Sequence, residues 1–416
     1  MSVLIVGGGI GGLVTALSLH QIGVPCRIFE SVETIEPLGV GINTLPHAVR
    51  ELTELGLGPA LAAEGIATAE LAYYSRHGQP IWQEPRGVAA GYHWPQYSIH
   101  RGHLQALLLA AVRDRLGPSA VVTGHHLAGW EATGDHILAR FIDRRTGTQR
   151  DLVRGDLLIG ADGIHSAVRR TLYPDEGAPI WNGAILWRGV TVGTPFLTGR
   201  SMIMAGHEFQ KFVCYPIGTT HDGNAVINWI AERKFAPDTA WHREDWNRPG
   251  RHEDFLPWFE DWRFDWLDVP GMIRGAEACY EYPMVDRDPV AHWSFGRVTL
   301  LGDAAHPMYP IGSNGASQAI LDARVLAREI KTHGTCAAAR AAYEAERRPV
   351  TTRIVLANRG NGPERVMQMV EERAPAGFAR IEDVLSAEEL EDAAAGYKRL
   401  AGFDREALNA RPAIVT

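Results

Sequence analysis

The chain has 416 residues, 45% hydrophobic and 22% charged, the balance of an ordinary globular protein with room for two or three domain-sized cores. Its 41 basic and 49 acidic residues leave a net charge of −8, which argues against nucleic acid as the main partner, because phosphate binding needs a basic face. Cys26, Cys214, Cys279 and Cys336 form neither a CxxC nor a zinc spacing and suit a reducing cytoplasmic setting, while no apolar stretch is long enough to span a bilayer and the N-terminus lacks the basic region of a signal peptide.

The first thirty residues carry the strongest signal. Val3–Val6 is a short apolar run, followed at once by the glycine turn Gly7-Gly8-Gly9-Ile10-Gly11-Gly12. A helical stretch from Leu13 to Ile22 and a second strand-like run, Cys26–Phe29, lead to Glu30, eighteen residues after Gly12. Strand, glycine turn, helix, strand and acid form the βαβ fingerprint for an ADP-containing cofactor. Gly7 permits the tight turn, Gly9 a close backbone approach to pyrophosphate, and Gly12 close packing of the helix on the sheet; Gly11 belongs to the same turn. The helix N-terminus offers unpaired N–H groups to phosphates. Glu30 is placed to accept hydrogen bonds from ribose hydroxyls. Glycines alone also close ordinary turns; the flanking strand and acid make this motif specific.

A helix is predicted around Pro46–Leu55. From Tyr73 to Gln96, short strand-like pieces alternate with Gly, Pro, His and aromatic residues. Ser98–Gly102 precedes a helix over Leu104–Leu116 with one apolar stripe. His125 and His126 are adjacent and would point to opposite faces of a strand, so no metal site is expected there or elsewhere. Asp156–Gly160 is strand-like and runs into Asp162-Gly163. From about Pro179 to Pro283 strand formers dominate, in Ile185–Val192, Ser201–Ala205, Lys211–Ile217 and Ala225–Glu232. Nine of the 12 tryptophans lie between Trp181 and Trp293. This predicts an antiparallel sheet layer covering something flat and apolar, although a Trp-rich core is the simpler reading of the tryptophans alone. Arg297–Leu301 makes a strand ending in Gly302-Asp303. The turn Ile311-Gly312-Ser313-Asn314-Gly315 opens a helix to about Lys331. From about Glu364 the tail is helical and charged, with no readable role.

Asp162-Gly163 and Gly302-Asp303 stand at strand ends, where each aspartate also reads as a helix N-cap. An acid at the end of a further strand can bind the ribityl chain of a flavin. The Gly312–Gly315 turn can aim a helix N-terminus at the electron-poor pyrimidine end of the ring, where the dipole stabilises the negative charge of a reduced flavin.

With these three signatures the chain resembles the single-component flavoprotein aromatic hydroxylases, the group A monooxygenases built like 4-hydroxybenzoate hydroxylase, and within them the phenazine-hydroxylating branch. Further stretches carry the likeness: Pro37–Asn43, Pro95–Gly102, Trp187–Val190, Tyr282–Asp288 and Gly302–Asp322. The resemblance implies an α/β fold: a Rossmann-like FAD-binding domain (1–72, 98–178 and 286–364), an antiparallel-sheet substrate domain (73–97 and 179–285) and a helical C-terminal segment (365–416). It places the flavin contacts on Gly7, Gly9, Gly11, Gly12, Glu30, Gly41, Arg101, Asp162, Gly163, Gly302, Asp303, Gly312 and Asn314, with Val40-Gly41-Ile42 as a mobile loop beside the ring. The family's flavin-side turn usually reads Gly-Gly-Gln-Gly-x-Asn; Gly312-Ser313-Asn314-Gly315-Ala316-Ser317 departs from it. By itself, Arg101 reads equally as a surface arginine.

The implied activity is an FAD-dependent, NAD(P)H- and O2-consuming monooxygenase that hydroxylates a planar aromatic or heteroaromatic substrate, a carboxylate of phenazine type, through a flavin C(4a)-hydroperoxide. Such chemistry asks the protein to orient the substrate and exclude water. It needs no acid–base pair, and the sequence holds no GxSxG or HExxH motif. Met204, Val213, Tyr215 and Trp229 are the candidates for the substrate wall, with Pro310 closing the flavin side and Arg188 pairing with the carboxylate. Tyr215 reads equally as a tyrosine satisfied in a sheet core, and Arg188 as a sheet-edge arginine in water. The alternatives are a Baeyer–Villiger, epoxidising or N-oxidising flavoenzyme, or a flavin-binding sensor without turnover. The sequence does not fix an oligomeric state.

Overall fold

The structure, a computed structural model, describes residues 2–415 apart from 38, 237–238 and 240–247, and the backbone alone of 393–398. Val3–Val6 is buried at every position because it is flanked on both sides by parallel strands, Leu157–Gly160 and Cys26–Phe29. A strand covered on both faces reads as a continuous apolar run. The sheet extends in the order Ser294–Phe295, Val298–Leu300, Leu157–Gly160, Val3–Val6, Cys26–Phe29, Val121–Val122. Its one antiparallel pair is the first. Helix Ile10–Gln21 packs against Arg101–Leu116 and Gly315–His333. A three-stranded meander, His126–Thr133, His136–Ile142 and Gln149–Gly155, joins the same core, where Phe141 stacks on Phe29 at 4.3 Å.

The second sheet has seven strands, ordered Cys279–Asp286, Ile180–Gly193, Ala225–Lys234, Gln210–Thr219, Ser201–His207, Glu70–Tyr74, Pro80–Pro85. Every pair is antiparallel except Ser201–His207 with Glu70–Tyr74. The chain leaves for the cofactor sheet between those two strands, and a long excursion can return in parallel where a tight hairpin cannot. The division placed after residue 72 falls inside Glu70–Tyr74, and the one after residue 97 falls inside Gln96–His100. Gln96–His100 joins Gly41–Thr44 and Ile66–Thr68 in a small antiparallel sheet at the base of the second lobe.

Strand alternation gives the seven-stranded sheet two different faces. One carries Trp187, Phe212, Cys214, Ile227 and Trp229 beneath Phe255, Phe259 and Trp262. The other carries Leu71, Tyr73, Met202, Met204, Val213, Tyr215 and Ile217. The described tryptophans of this sheet therefore mostly build a core on the first face, where Trp187 stacks on Phe255 at 4.9 Å. This is the Trp-rich core that is the simpler reading of the tryptophans alone.

The charged tail has a defined place. Helix Arg365–Arg373 lays Val366, Met367 and Val370 on the second face of the sheet. Farther on, the Phe403 carbonyl accepts from Tyr92 Oη at 2.6 Å, and the Ala401 carbonyl accepts from Gln318 Nε2 at 3.2 Å. Lys211 joins the sheet to the segment that enters the tail, ion-paired with Glu232 at 3.1 Å and with Glu364. All three side chains are buried. Burial would lower the Lys211 pKa, but the two carboxylates outweigh it and hold the ammonium above its ordinary value.

Lys211→Met should destabilise the fold by about 3–5 kcal/mol, because it leaves two buried carboxylates without a counter-charge. Adding Glu232→Gln and Glu364→Gln should recover much of that loss in chemical denaturation. A single variant as stable as the wild type would show that the cluster contributes nothing.

Candidate active site

The glycine turn is held open by contact, not by composition. Gly7 has φ +106, and a Cβ there would lie 2.4 Å from the Ala161 carbonyl oxygen. A Cβ on Gly12 would lie 2.0 Å from the Gly7 carbonyl oxygen, and one on Gly11 would lie 2.9 Å from Leu301 Cδ2. A Cβ on Gly9 would meet nothing within 4 Å, so Gly9 faces open space. Gly9 is also the N-cap of Ile10–Gln21 and supplies no side-chain cap, which leaves first-turn N–H groups for a ligand. Glu30 sits across the turn. Its Oε2 accepts from Gly8 N at 2.7 Å, and its Oε1 accepts from Val32 N and Ser31 Oγ at 3.0 Å. A carboxylate has further lone pairs for hydroxyl donors.

Asp162 is spent locally. Its Oδ2 accepts from Ala167 N at 2.7 Å and Val168 N at 3.3 Å, and Ser166 Oγ donates to Oδ1 at 2.5 Å. Burial raises its carboxyl, and these bonds counter part of the rise. The helix-capping reading therefore describes the bonds Asp162 makes; Gly163 beside it turns with φ +77. Asp303 differs. It keeps exposed surface, and the protein around it raises its carboxyl, countered by His306 and Arg101. Gly302, with φ +61, donates its N–H to Asp322 Oδ2 at 3.1 Å. The same carboxylate takes His306 Nε2 at 2.6 Å and Arg347 Nε at 2.7 Å. Burial pushes the Asp322 carboxyl up, but His306 and Arg347 together hold it below the usual range.

Gly312 and Ser313 both have positive φ, 68° and 56°. Asn314 follows, fully buried, with Nδ2 on the Gly312 carbonyl at 3.2 Å. Helix Gly315–His333 then starts without a side-chain cap. Pro310 is exposed at the start of this turn.

The sheet meets this region at Gly41. Of the segment Val40-Gly41-Ile42, Gly41 and Ile42 begin the strand Gly41–Thr44. Gly41 N donates to Asn228 Oδ1 at 2.7 Å, while Tyr215 Oη and Arg188 Nη2 donate to its carbonyl at 2.9 and 2.7 Å. Arg188 is thus not a sheet-edge arginine in water: it is enclosed by protein, 5.9 Å over the Tyr282 ring. Burial lowers its pKa, countered by Tyr215 and Tyr282. Arg101, the first residue of its helix, is exposed, and its charge reaches both Arg188 and Asp303. Met204, Val213 and Tyr215 share the face turned toward this junction. Trp229 does not. It lies on the opposite face, fully buried, with Nε1 donating to Thr191 Oγ1 at 3.0 Å, so it is not part of a wall with the other three.

A cavity lies between the Gly312–Ser313 turn and the sheet face. Met202 and Met204 line it, with Leu45, Tyr73, Arg86 and Phe403 around them. Glu84, Gln96 and Phe403 escape a reading of the sequence, because they come from an edge strand, the small sheet and the tail. The one available signal is Glu84-x-Arg86, two opposite charges on the same side of a predicted strand. No group of three or more metal-ligating side chains occurs among the described residues, and no described helix is long and apolar enough to cross a membrane.

The donor set fits a flavin dinucleotide. Two uncapped helix N-termini, an open Gly9, Glu30 at a strand end and an exposed Asp303 match its phosphates, ribose and ribityl chain. Comparison with known proteins agrees. The FAD binding domain family matches residues 1–358. A phenazine 1,6-dicarboxylic acid hydroxylase, PhzS of Lysobacter antibioticus, is 49% identical over 86% of this chain and 89% of its own. A 3-hydroxybenzoate 6-hydroxylase of Klebsiella oxytoca is 30% identical over 87% and 88%. Among solved structures, Klebsiella pneumoniae HpxO complexed with FAD and uric acid superposes with a TM-score of 0.73 at 23% identity, covering 99% of this chain and 97% of that one, a likeness of fold.

Glu30→Ala should weaken FAD binding by about 1.5–3 kcal/mol, roughly ten- to a hundredfold, as charge-assisted bonds to ribose are lost. An unchanged FAD dissociation constant with an intact fold would reduce Glu30 to a brace for Gly8 and Val32. Asp303→Ala should leave the melting temperature nearly unchanged but divert NAD(P)H electrons to hydrogen peroxide. Wild-type product yield per NAD(P)H would remove Asp303 from the site.

Proposed function

The chain belongs to the FAD binding domain family and is an FAD-dependent monooxygenase; on that premise we propose that it uses NAD(P)H and O2 to hydroxylate a planar aromatic or heteroaromatic carboxylate of phenazine type. The observation that carries this reading is the cavity itself. It joins an apolar sheet face to the turn that opens helix Gly315–His333, and it gathers Glu84, Arg86 and Gln96 beside Leu71, Met202 and Met204. Such a mix suits a flat apolar ligand held in one orientation. The relatives point the same way, since the 49% identical protein is named for a phenazine dicarboxylate.

When bound, FAD supplies hydride acceptance and oxygen activation. The protein's share is placement. Gly7, Gly9, Gly11, Gly12 and Glu30 would hold the ADP half, Gly302, Asp303, Gly312 and Asn314 the flavin half, and Arg101 would add positive charge beside it. Asn228, Tyr215 and Arg188 fix Gly41 against the sheet. Met204 and Val213 keep that face apolar and dry. The described cysteines are all unpaired, three of them buried, which suits the reducing cytosol.

The holoprotein should be yellow, with FAD released by heat or acid. Phenazine carboxylates or hydroxybenzoates should stimulate NAD(P)H consumption and yield a product bearing one added oxygen. If only aliphatic ketones or amines stimulate turnover, the aromatic hydroxylase reading gives way to Baeyer–Villiger or N-oxidising chemistry.

A further inference from the structure

The cavity facing the Gly312–Ser313 turn contains a charged pair that a flavin does not need. Glu84 belongs to the edge strand Pro80–Pro85, and Arg86 follows it. The two side chains are ion-paired, and only 7% of Glu84 and 12% of Arg86 is exposed. Both line the cavity, together with Gln96. Two buried polar atoms at this point have no hydrogen-bond partner: Arg86 Nε and Gln96 Oε1. Buried polar atoms are rarely left so, because desolvation without a partner is unfavourable. Arg86 is the cation among the residues lining the cavity. Arg188 also has an unpartnered Nε, but it donates through Nη2 to the Gly41 carbonyl and does not line the cavity.

We propose that Arg86 determines specificity by receiving a carboxylate of the aromatic substrate. Glu84 holds one edge of the guanidinium and so fixes its plane. The Nε edge remains for the ligand, and a planar fork of donors matches a carboxylate better than a point charge does. Gln96 turns its Nε2 to Asn43 Oδ1 at 3.4 Å, so of the two unpartnered atoms only Arg86 Nε is a donor that a carboxylate can use. The cavity measures ≈ 20 Å³, room for about one water. A ring must therefore displace Met202 and Met204, whose unbranched thioether chains rearrange readily. The geometry moves the carboxylate role from Arg188 to Arg86 and leaves Arg188 to hold the Gly41 strand.

The inference rests on the aromatic hydroxylase reading, and its test separates the two. Wild-type holoenzyme is assayed first with phenazine-1,6-dicarboxylate, phenazine-1-carboxylate and 3-hydroxybenzoate. If none stimulates NAD(P)H oxidation, both readings fall. Given stimulation, Arg86→Met should raise KM for the best acid roughly 10- to 100-fold. The corresponding carboxamide should change by no more than about threefold, with FAD content unchanged. Where turnover is slow, Kd from the flavin absorbance change replaces KM. Arg86→Lys keeps the charge without the fork and should lose part of the preference for acid over amide. It also decides the matter if Arg86→Met does not fold. Equal effects on acid and amide would overturn the assignment. So would an acid-selective loss in Arg188→Met with none in the Arg86 variants.

Discussion

The contact on which the site depends is the capture of one peptide. Gly41 is bound through its N–H by Asn228 and through its carbonyl by Tyr215 and Arg188, all side chains of the seven-stranded sheet. A Cβ on Gly41 would lie 2.7 Å from Asn228 Cβ and 2.8 Å from Ile217 Cγ2. Glycine is needed here for closeness of approach rather than for an unusual φ. The contact ties the seven-stranded sheet to the small sheet of Gly41–Thr44, Gln96–His100 and Ile66–Thr68. It also reaches further, because Gly41 pairs with His100 and the next residue, Arg101, donates its N–H to Val40. The sheet face, the Gly41 strand and the start of helix Arg101–Leu116 are therefore linked by a continuous chain of hydrogen bonds. Three buried hydrogen bonds to one residue are strong in a low-dielectric setting and costly to leave half-made.

This constraint explains which parts of the site were legible in the sequence. The glycine turn, Glu30 and the Gly302-Asp303 corner are local: each role follows from a few consecutive residues on a strand end, and spacing alone exposes it. The resemblance then located Gly41 and Arg101. The sheet face was half legible. Alternation in Lys211–Ile217 separates Val213 and Tyr215 from Phe212 and Cys214, but only pairing assigns Trp229, which stands opposite Cys214 and Gly189 and so shares their side. Phe403 was illegible because it meets Arg86 and Gln96 across more than 300 residues, and the pair itself was illegible because Arg86 follows a strand of one sheet and Gln96 begins a strand of another, where no spacing rule operates.

The buried charges follow the same division. Asp322 binds the Gly302 N–H, His306 and Arg347, while Arg347 Nη2 donates to Gln318 Oε1 at 2.6 Å. One carboxylate thus ties the Asp303 corner to helices Gly315–His333 and Ala337–Arg359. Removing any partner would strand a charge in a dry interior, which accounts for the cluster's weight in positioning Asp303 better than any gain from the pairs themselves. Its sign with pH is fixed. A carboxyl held below its unfolded value contributes stability above the ordinary carboxylate range and loses it as pH falls through the folded value. The corner is accordingly secure near neutral pH.

The tail completes the enclosure by a neutral contact. Phe403, which lines the cavity, stacks on His47 at 5.4 Å with an interplanar angle of 11°. Burial, helped by Arg411 and Arg347, lowers the His47 pKa to about 3. The imidazole stays uncharged near neutrality, so this wall does not respond to ordinary changes of pH. A cationic imidazole would add charge to a site that already holds Arg101, Arg188 and Arg86. It would also draw a substrate carboxylate toward the tail and away from the guanidinium at the edge strand. Neutrality at His47 leaves the orientation of an anionic ring to the arginines, and among them Arg86 has the unfilled donor edge in the cavity.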